Sequence, residues 1–264
     1  MGSLYVTGTT TSSNLTVTPG VYLPTLPALQ GRPRRTSSMK LNRAGALEWS
    51  TYFIGGTVAS IAVDAAGYPY IGGASGGGLP TTPGAYTTDF KQSITSNGFF
   101  SVMGPLSAFV TKFNALGTGL IYSTYVPTDN QKQTVASAPA LAIDAAGNAW
   151  LGVGLNPGIV PTGPGASIVE LNATGSAVLA SVVQPGLGNV AAIAFDANSN
   201  VYVAGARTPQ GGNFPATPGA FQSVPQPIVP TLDYQPPSGG GTGCVRRQVR
   251  QHADALTGRD IAWR

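Results

Sequence analysis

The chain has 264 residues, 42% of them hydrophobic, so it can bury a substantial core and is not excluded from folding by low hydrophobicity. Only 9% of its residues are charged, against about 25% in average soluble domains. Its 36 Gly and 22 Pro are typical of short strands joined by tight turns. No apolar run is long enough for a membrane helix and no signal-peptide pattern opens the chain, so we expect neither.

The formal charge of +4 arises mostly after Gly243, where five Arg and two Asp lie. The rest of the chain has nine basic and eight acidic residues, a balance that predicts no nucleic-acid partner. The only Cys and the only His, Cys244 and His252, also lie in this segment. A disulfide framework and a Cys/His metal site are therefore not expected.

One pattern of eight residues recurs along the chain. An apolar run, an Asp and a turn occupy Ser60–Gly67, Ala140–Gly147 and Ala192–Ser199, each followed by a second apolar run. Asp can accept hydrogen bonds from the turn amides, and Gly takes the left-handed conformation that ends such a loop. Internal repeats of this length indicate a solenoid, a propeller or an array.

The predicted strands, taken in chain order, divide the sequence into four units and a tail. The units are 1–56 (unit 1, a partial blade lacking its first strand), 57–135 (unit 2, a blade with a long loop insertion), 136–187 (unit 3, a blade) and 188–243 (unit 4, a half blade). The tail, 244–264, has no repeat pattern. Four antiparallel strands per unit predict an all-β fold, a partial β-propeller of about three and a half four-stranded blades in an open arc.

Proline and glycine mark a second recurring element between the hairpins. Proline lacks the amide donor that a central strand needs, so these segments are predicted to be surface turns. They are Thr18–Gly20, Thr82–Gly84, Gly163–Gly165 and Thr217–Gly219.

The combination of these motifs resembles the bacterial SBBP-type β-propeller repeat, a seven-bladed family, over residues 4–243. The matching segments are Ile61–Asp64, Ala108–Asn114, Tyr122–Tyr125, Asn200–Gly205 and Phe214–Gln222. Unit 3 departs from the pattern at Gly163 and Ser167. The resemblance implies a partial propeller from a secreted or cell-surface bacterial protein.

The last unit stops after Gly241, where a third strand is expected. Codon degeneracy permits the DNA of the tail, read one base later, to encode AFVAKFDNTLTPSPGATLLGG, which restores the missing strand pair. We therefore predict that 244–264 arises from a frameshift; the alternative is a short natural basic tail. Because 13 strands leave two exposed edges, we also expect a fragment of a longer protein.

The residues with the most metal-like spacing are Asp196, Asn198 and Asn200, which place oxygen-bearing side chains at alternate positions. They resemble the start of a calcium loop but lack its following Gly and distal Glu. Asp64 and Asp144 begin the same turn without such neighbours, so turn capping is the favoured interpretation. We predict no catalytic residue, no cofactor and no metal, with these three as the only metal candidates.

Function follows from these expectations. The leading hypothesis is a non-enzymatic structural or ligand-binding module whose partners are a protein or carbohydrate and the remaining blades of a longer chain. The alternatives are a propeller-based lyase or glycosidase and a non-functional gene fragment. Paired acids for glycoside cleavage would come from Glu48, Asp89, Glu170 and Asp233. Aromatic residues at matching strand positions are predicted to pack between blades, the alternative being a sugar-stacking platform.

Overall fold

The computed structural model of the chain describes residues 2–26, 35–90, 107–126, 140–155, 165–207 and 219–220. These residues form thirteen β-strands and no helix, so the all-β prediction is confirmed. In chain order the strands are β1 Leu4–Thr10, β2 Arg35–Leu41, β3 Leu47–Phe53, β4 Thr57–Val63, β5 Pro69–Ser75, β6 Ser107–Phe113, β7 Leu120–Val126, β8 Ala140–Ile143, β9 Ala149–Gly154, β10 Gly165–Leu171, β11 Val178–Pro185, β12 Leu187–Phe195 and β13 Val201–Arg207.

Consecutive strands pair antiparallel in four separate sheets. The orders are β1-β2-β3, β4-β5-β6-β7, β8-β9-β10-β11 and β12-β13. Two sheets have four strands and none closes on itself, which confirms an open, partial propeller-like architecture. The four sheets fall within predicted units 1 to 4, except that β12 of the fourth sheet begins at Leu187, the last residue of unit 3. The unit boundaries stay a prediction. Asp233, the loop insertion at 91–106 and the tail lie outside the described residues.

The hairpin turns take the conformation expected from their glycines. Gly67 and Gly147 end the first turns of units 2 and 3 with φ of 83° and 84°. Ser199 occupies the same position in unit 4 with φ of 63°. An L residue pays roughly 1–2 kcal/mol for this left-handed conformation, so the turn of unit 4 is the least favourable of the three.

The hydrophobic core lies between successive sheets. Phe53 of unit 1 stacks on Phe109 of unit 2, with ring centroids 5.8 Å apart. Tyr70 and Tyr122 of unit 2 share a second cluster with Leu151 of unit 3. A third cluster joins units 3 and 4 and contains Ala140, Ala166, Leu187, Val190 and Val203. The sheets therefore pack face to face, each on the next, as the blades of a propeller do.

The repeated aromatic residues of the outer strands are part of this core. Trp49, Tyr52, Tyr122 and Tyr125 are buried, and none is more than 5% exposed. Trp49 packs against Gly117 of unit 2 and Tyr122 against Gly175 of unit 3, which confirms packing between blades at these two positions. Trp150, which belongs to the same prediction, is only partly buried and contacts Phe195 of unit 4.

Two of the predicted turns, Thr18–Gly20 and Thr82–Gly84, lie within the described residues, and each begins a segment that covers the outer edge of its own sheet. The turns predicted at 163–165 and 217–219 lie largely outside the described residues. We call residues 18–23 and 82–87 the cover segments. The amide of Thr82 donates to the carbonyl of Ser123 at 3.1 Å, and the Ser123 amide donates to Thr82 Oγ1 at 3.0 Å. Thr18 and Ser50 make the same pair of bonds in unit 1, at 3.3 and 3.2 Å.

Candidate functional site: the aspartate turns

The Asp and Asn residues that begin the hairpin turns lie at one end of the sheets. In an antiparallel meander the first and third strands run the same way, so both hairpin turns of a unit lie at that end. Three of the inner turns begin with Asp64, Asp144 and Asp196. The three described turns between the third and fourth strands of a unit begin with Asn42, Asn114 and Asn172. This end of the molecule is the candidate functional site.

Each aspartate uses one carboxylate oxygen to hold its own turn. The Oδ1 atom accepts backbone N–H groups two and four residues later. The distances are 3.1 and 2.9 Å at Asp64, 2.9 and 2.8 Å at Asp144, and 2.9 and 2.9 Å at Asp196. The predicted turn capping is confirmed in all three units.

The second oxygen accepts a hydrogen bond from an aromatic residue six positions later. Tyr70 donates to Asp64 Oδ2 at 3.0 Å, Trp150 to Asp144 Oδ2 at 3.2 Å and Tyr202 to Asp196 Oδ2 at 3.0 Å. This hydrogen bond was not predicted from the sequence. Its signal is present, because an aromatic residue with a polar N–H or O–H follows every repeated Asp at the same interval.

The proposed calcium ligands form a capped turn. Asp196 accepts four hydrogen bonds, from the amides of Asn198 and Asn200, from Asn200 Nδ2 at 2.7 Å, and from Tyr202. The Asn200 side-chain bond, followed by the Asn200 amide, lowers the pKa of Asp196. Among the described residues no group of three or more His, Cys, Asp or Glu could hold a metal. The expectation of no metal, with Asp196, Asn198 and Asn200 as the only candidates, stays a prediction.

Unit 2 adds a charged pair to its aspartate turn. Lys112 Nζ lies 3.2 Å from Asp64 Oδ2, and both side chains are largely buried. The ammonium also lies 4.9 and 4.7 Å from the ring centroids of Tyr68 and Tyr70, within cation–π range. The Asp64 carboxylate and the two tyrosine rings therefore hold the Lys112 ammonium in place.

The pKa shifts in this cluster keep the carboxylate charged and the phenols neutral. Burial opposes ionisation of Asp64, but hydrogen bonds from the Tyr68 amide, Lys112 and Tyr70 together hold its pKa below the usual value. Burial, with the nearby Tyr122 and Asp64, raises the pKa of Tyr70, and burial raises that of Tyr122. At neutral pH the carboxylate is ionised and both phenols keep their protons.

The position of Lys112 carries different charges in the neighbouring units. Backbone pairing places Lys40, Lys112 and Glu170 opposite Tyr5, Tyr70 and Trp150 in the three sheets. Lys40 pairs with Glu48 at 2.7 Å. Glu170 accepts from Asn148 Nδ2 at 2.9 Å, while burial and then the charge of Asp144 raise its pKa.

The same aromatic residues also connect each unit to the next. Tyr5 donates to the carbonyl of Gly67 at 3.0 Å, and the Tyr70 hydroxyl lies 3.4 Å from the carbonyl of Gly147. Trp150 contacts Phe195 edge-on, with ring centroids 5.9 Å apart. We call these three contacts the inter-unit latches.

The acids considered for glycoside cleavage do not form one site in the described part of the chain. Glu48 is engaged with Lys40 in unit 1, and Glu170 with Asn148 in unit 3. Asp89 is exposed on the loop that follows the unit 2 cover segment. The two glutamates thus serve contacts within separate sheets.

Comparisons with known proteins give little further information. No protein-family model matches the chain, and no curated protein matches it. Among solved structures, a luciferin-regenerating enzyme is similar at 15% identity over 69% of this chain and 68% of that chain, with a TM-score of 0.28. No helix long and apolar enough to span a membrane occurs among the described residues. The interpretation therefore rests on the strands and contacts of this chain.

Proposed function

We propose that the chain is a non-enzymatic structural or ligand-binding module of SBBP-type propeller repeats, from a secreted or cell-surface bacterial protein. The observation that carries the proposal is that the polar residues of the candidate site are used in contacts within and between units. Asp64, Asp144 and Asp196 hold turns, and Tyr5 and Tyr70 latch one unit to the next. Such an arrangement supports a rigid scaffold.

The partners of this module are a protein or carbohydrate ligand and further blades of a longer parent chain. Support for further blades comes from β1 and β13, each at the edge of its sheet within the described chain. An unpaired strand edge favours pairing with additional strands. Support for an extracytoplasmic location comes from the SBBP resemblance and from the scarcity of charged residues.

Binding and turnover assays on the purified full chain test the absence of enzymatic activity. The chain is incubated with a panel of glycosides and uronic-acid polysaccharides, and binding to an array of glycans and surface proteins is measured in parallel. The expected result is binding without turnover. Cleavage that is lost in Glu48→Gln or Glu170→Gln would overturn the proposal and support a glycosidase or lyase.

The DNA around the reading frame and the location of the product test the remaining parts. We expect flanking DNA to encode more repeats behind a signal peptide, and antibodies to find the product outside the cytoplasm. Stop codons in every flanking frame with no detectable product would instead support a non-functional gene fragment. Codons incompatible with the alternative frame of 244–264 would remove the frameshift hypothesis.

A further inference from the structure

Within the described part of the chain, no segment covers the outer strand of unit 3 as the cover segments protect the outer strands of units 1 and 2. Backbone pairing aligns the three strands, because Lys40, Lys112 and Glu170 pair with Trp49, Tyr122 and Ala180 respectively. Ser181, Val182 and Val183 of β11 therefore occupy the positions of Ser123, Thr124 and Tyr125 of β7.

The side chains that bind the cover segment of unit 2, and the residues just before it, are absent from unit 3. Thr124 Oγ1 accepts the Thr87 amide at 3.0 Å, and the Tyr125 hydroxyl accepts the Leu79 amide at 3.0 Å. Valine, which has no polar side-chain atom, stands at both equivalent positions of β11.

The loop that would carry the cover is also reduced in unit 3. β9 ends at Gly154 and β10 begins at Gly165, whereas β5 ends at Ser75 and β6 begins at Ser107. Unit 3 thus has both a shorter connection between these strands and valines in place of the binding residues. Within the described part of the chain, β11 ends its sheet, and no backbone hydrogen bond joins its outer side to another described residue.

The bare edge is apolar and uncharged. Leu179, Val182 and Val183 are 55%, 49% and 39% exposed. No charged residue lies between Glu170 and Asp196. Natural proteins usually protect an edge strand with charges, proline or a covering segment, and the middle of β11 has none of these among the described residues.

We propose that β11 is an interaction surface that pairs antiparallel with β11 of a second copy of this chain. In unit 1 the amides of Ser50 and Tyr52 point outward and donate to the cover segment. The equivalent amides of β11 belong to Ser181 and Val183. A twofold axis at Val182 places Ser181 of each copy opposite Val183 of the other, so that four backbone hydrogen bonds form.

The charge distribution favours a second copy over an unrelated charged partner. An uncharged strand meets its own copy without like-charge repulsion. It offers an acidic or basic peptide no opposite charge that would steer binding. Valine 182 of the two copies would face each other as a close, non-hydrogen-bonded pair, which adds apolar contact to the ladder. This pairing does not depend on the proposed function.

Sedimentation velocity of the full chain at increasing concentration tests the proposal, with the expectation of a reversible dimer. Val183→Pro removes an outward amide without affecting the ladder to β10, and Val182→Lys places two like charges at the axis. Both should abolish the dimer. Ile121→Lys is the matched control, because Ile121 is exposed on the covered strand β7, and it should dimerise like the parent.

Cross-linking tests the register and does not depend on how proline is tolerated. In a Cys244→Ser background, Val182→Cys should form an intermolecular disulfide under mild oxidation, since such a pair places Cα atoms about 4.5 Å apart. Ile121→Cys in the same background should form no intermolecular disulfide, although it should still form the non-covalent dimer. A chain that is monomeric at every concentration would overturn the proposal, as would a dimer that survives both Val183→Pro and Val182→Lys.

Discussion

The sheets of units 2 and 3 have the same four-stranded topology but differ in core, charge and edge. Three equivalent positions show the difference. Phe109, Lys112 and Thr124 of unit 2 correspond to Ser167, Glu170 and Val182 of unit 3. The two sheets thus share one topology, whereas their side chains determine how tightly each blade packs and whether its outer edge is covered.

The largest expected effect concerns the core. Phe109 is fully buried and stacks on Phe53, so Phe109→Ala should lower the free energy of unfolding by about 3–5 kcal/mol. Ser167→Ala is the matched change in unit 3, where the buried hydroxyl has no hydrogen-bond partner among the described residues. That variant should be neutral or slightly stabilised. Urea denaturation measures both, and equal losses would contradict the comparison.

A smaller effect is expected where the outer turns meet the neighbouring unit. Gly175 has φ of 67°, and the ring of Tyr122 occupies the space that a Cβ would need. Gly45 has φ of 79° in the outer turn of unit 1, with nothing within 4 Å of that position. Gly45→Ala should cost roughly 1–2 kcal/mol from backbone conformation.

The contact with Tyr122 should make Gly175→Ala worse than Gly45→Ala by a further 1–3 kcal/mol or so, the usual cost of overpacking. Thermal unfolding of the two variants measures this difference. If both lose the same stability, the packing of Tyr122 against the next unit contributes nothing measurable.

Replacing one residue of the covered strand β7 by its counterpart from β11 should lower stability. Thr124→Val gives unit 2 the residue of unit 3 and removes the acceptor of the Thr87 amide. The expected loss is about 1 kcal/mol, the usual net value of such a hydrogen bond. The reverse change, Val182→Thr, should leave the stability of the monomer unchanged, because within the described chain no cover segment lies there to be bound. Chemical denaturation at low protein concentration separates the two.

The smallest effect is a difference in pH dependence. Glu170 has a raised pKa, so its contribution to stability is complete below the unfolded value of about 4.3 and is lost as pH rises through the folded value. Glu170→Gln should remove this loss, so the free energy of unfolding of the variant should rise relative to that of the parent between acidic and neutral pH. The difference should be less than about 1 kcal/mol because the site is partly exposed.

Asp64 should behave in the opposite way. Its lowered pKa gives a contribution that is present above the unfolded value of about 3.9 and is lost as pH falls through the folded value. The stability of Asp64→Asn should therefore fall furthest below that of the parent at neutral pH. Melting temperatures across the acidic range check both signs, and parallel curves for the two variants would contradict them.

Much of the fold could be predicted because strands and turns have local signals. The apolar runs on either side of the Asp turns predicted β4 and β5, and the left-handed conformations of Gly67 and Gly147 followed from the same turns. The calcium hypothesis for Asp196 depended on spacing alone, which does not reveal that Asn200 directs its amide nitrogen towards the carboxylate. That orientation depends on the folded turn.

The cover segments could not be predicted from their own residues. Thr-Pro-Gly indicates a turn, but the pairing of Thr82 with Ser123 joins residues that are distant in sequence and depends on how the loop returns to its sheet. In the sequence, unit 3 departs from the repeat at Gly163 and Ser167, and neither residue lies on β11. The exposed edge is recognised only when Val182 and Val183 are aligned in space with Thr124 and Tyr125.

Amide hydrogen exchange on the outer strands, resolved by NMR, tests the central claim most directly. The structure predicts slow exchange at Ser123 and Tyr125 of unit 2 at any protein concentration, since both amides donate to a cover segment. Ser181 and Val183 of unit 3 should exchange fast in dilute protein and slow down as the dimer forms. Equal exchange rates for the two pairs in dilute protein would contradict the account.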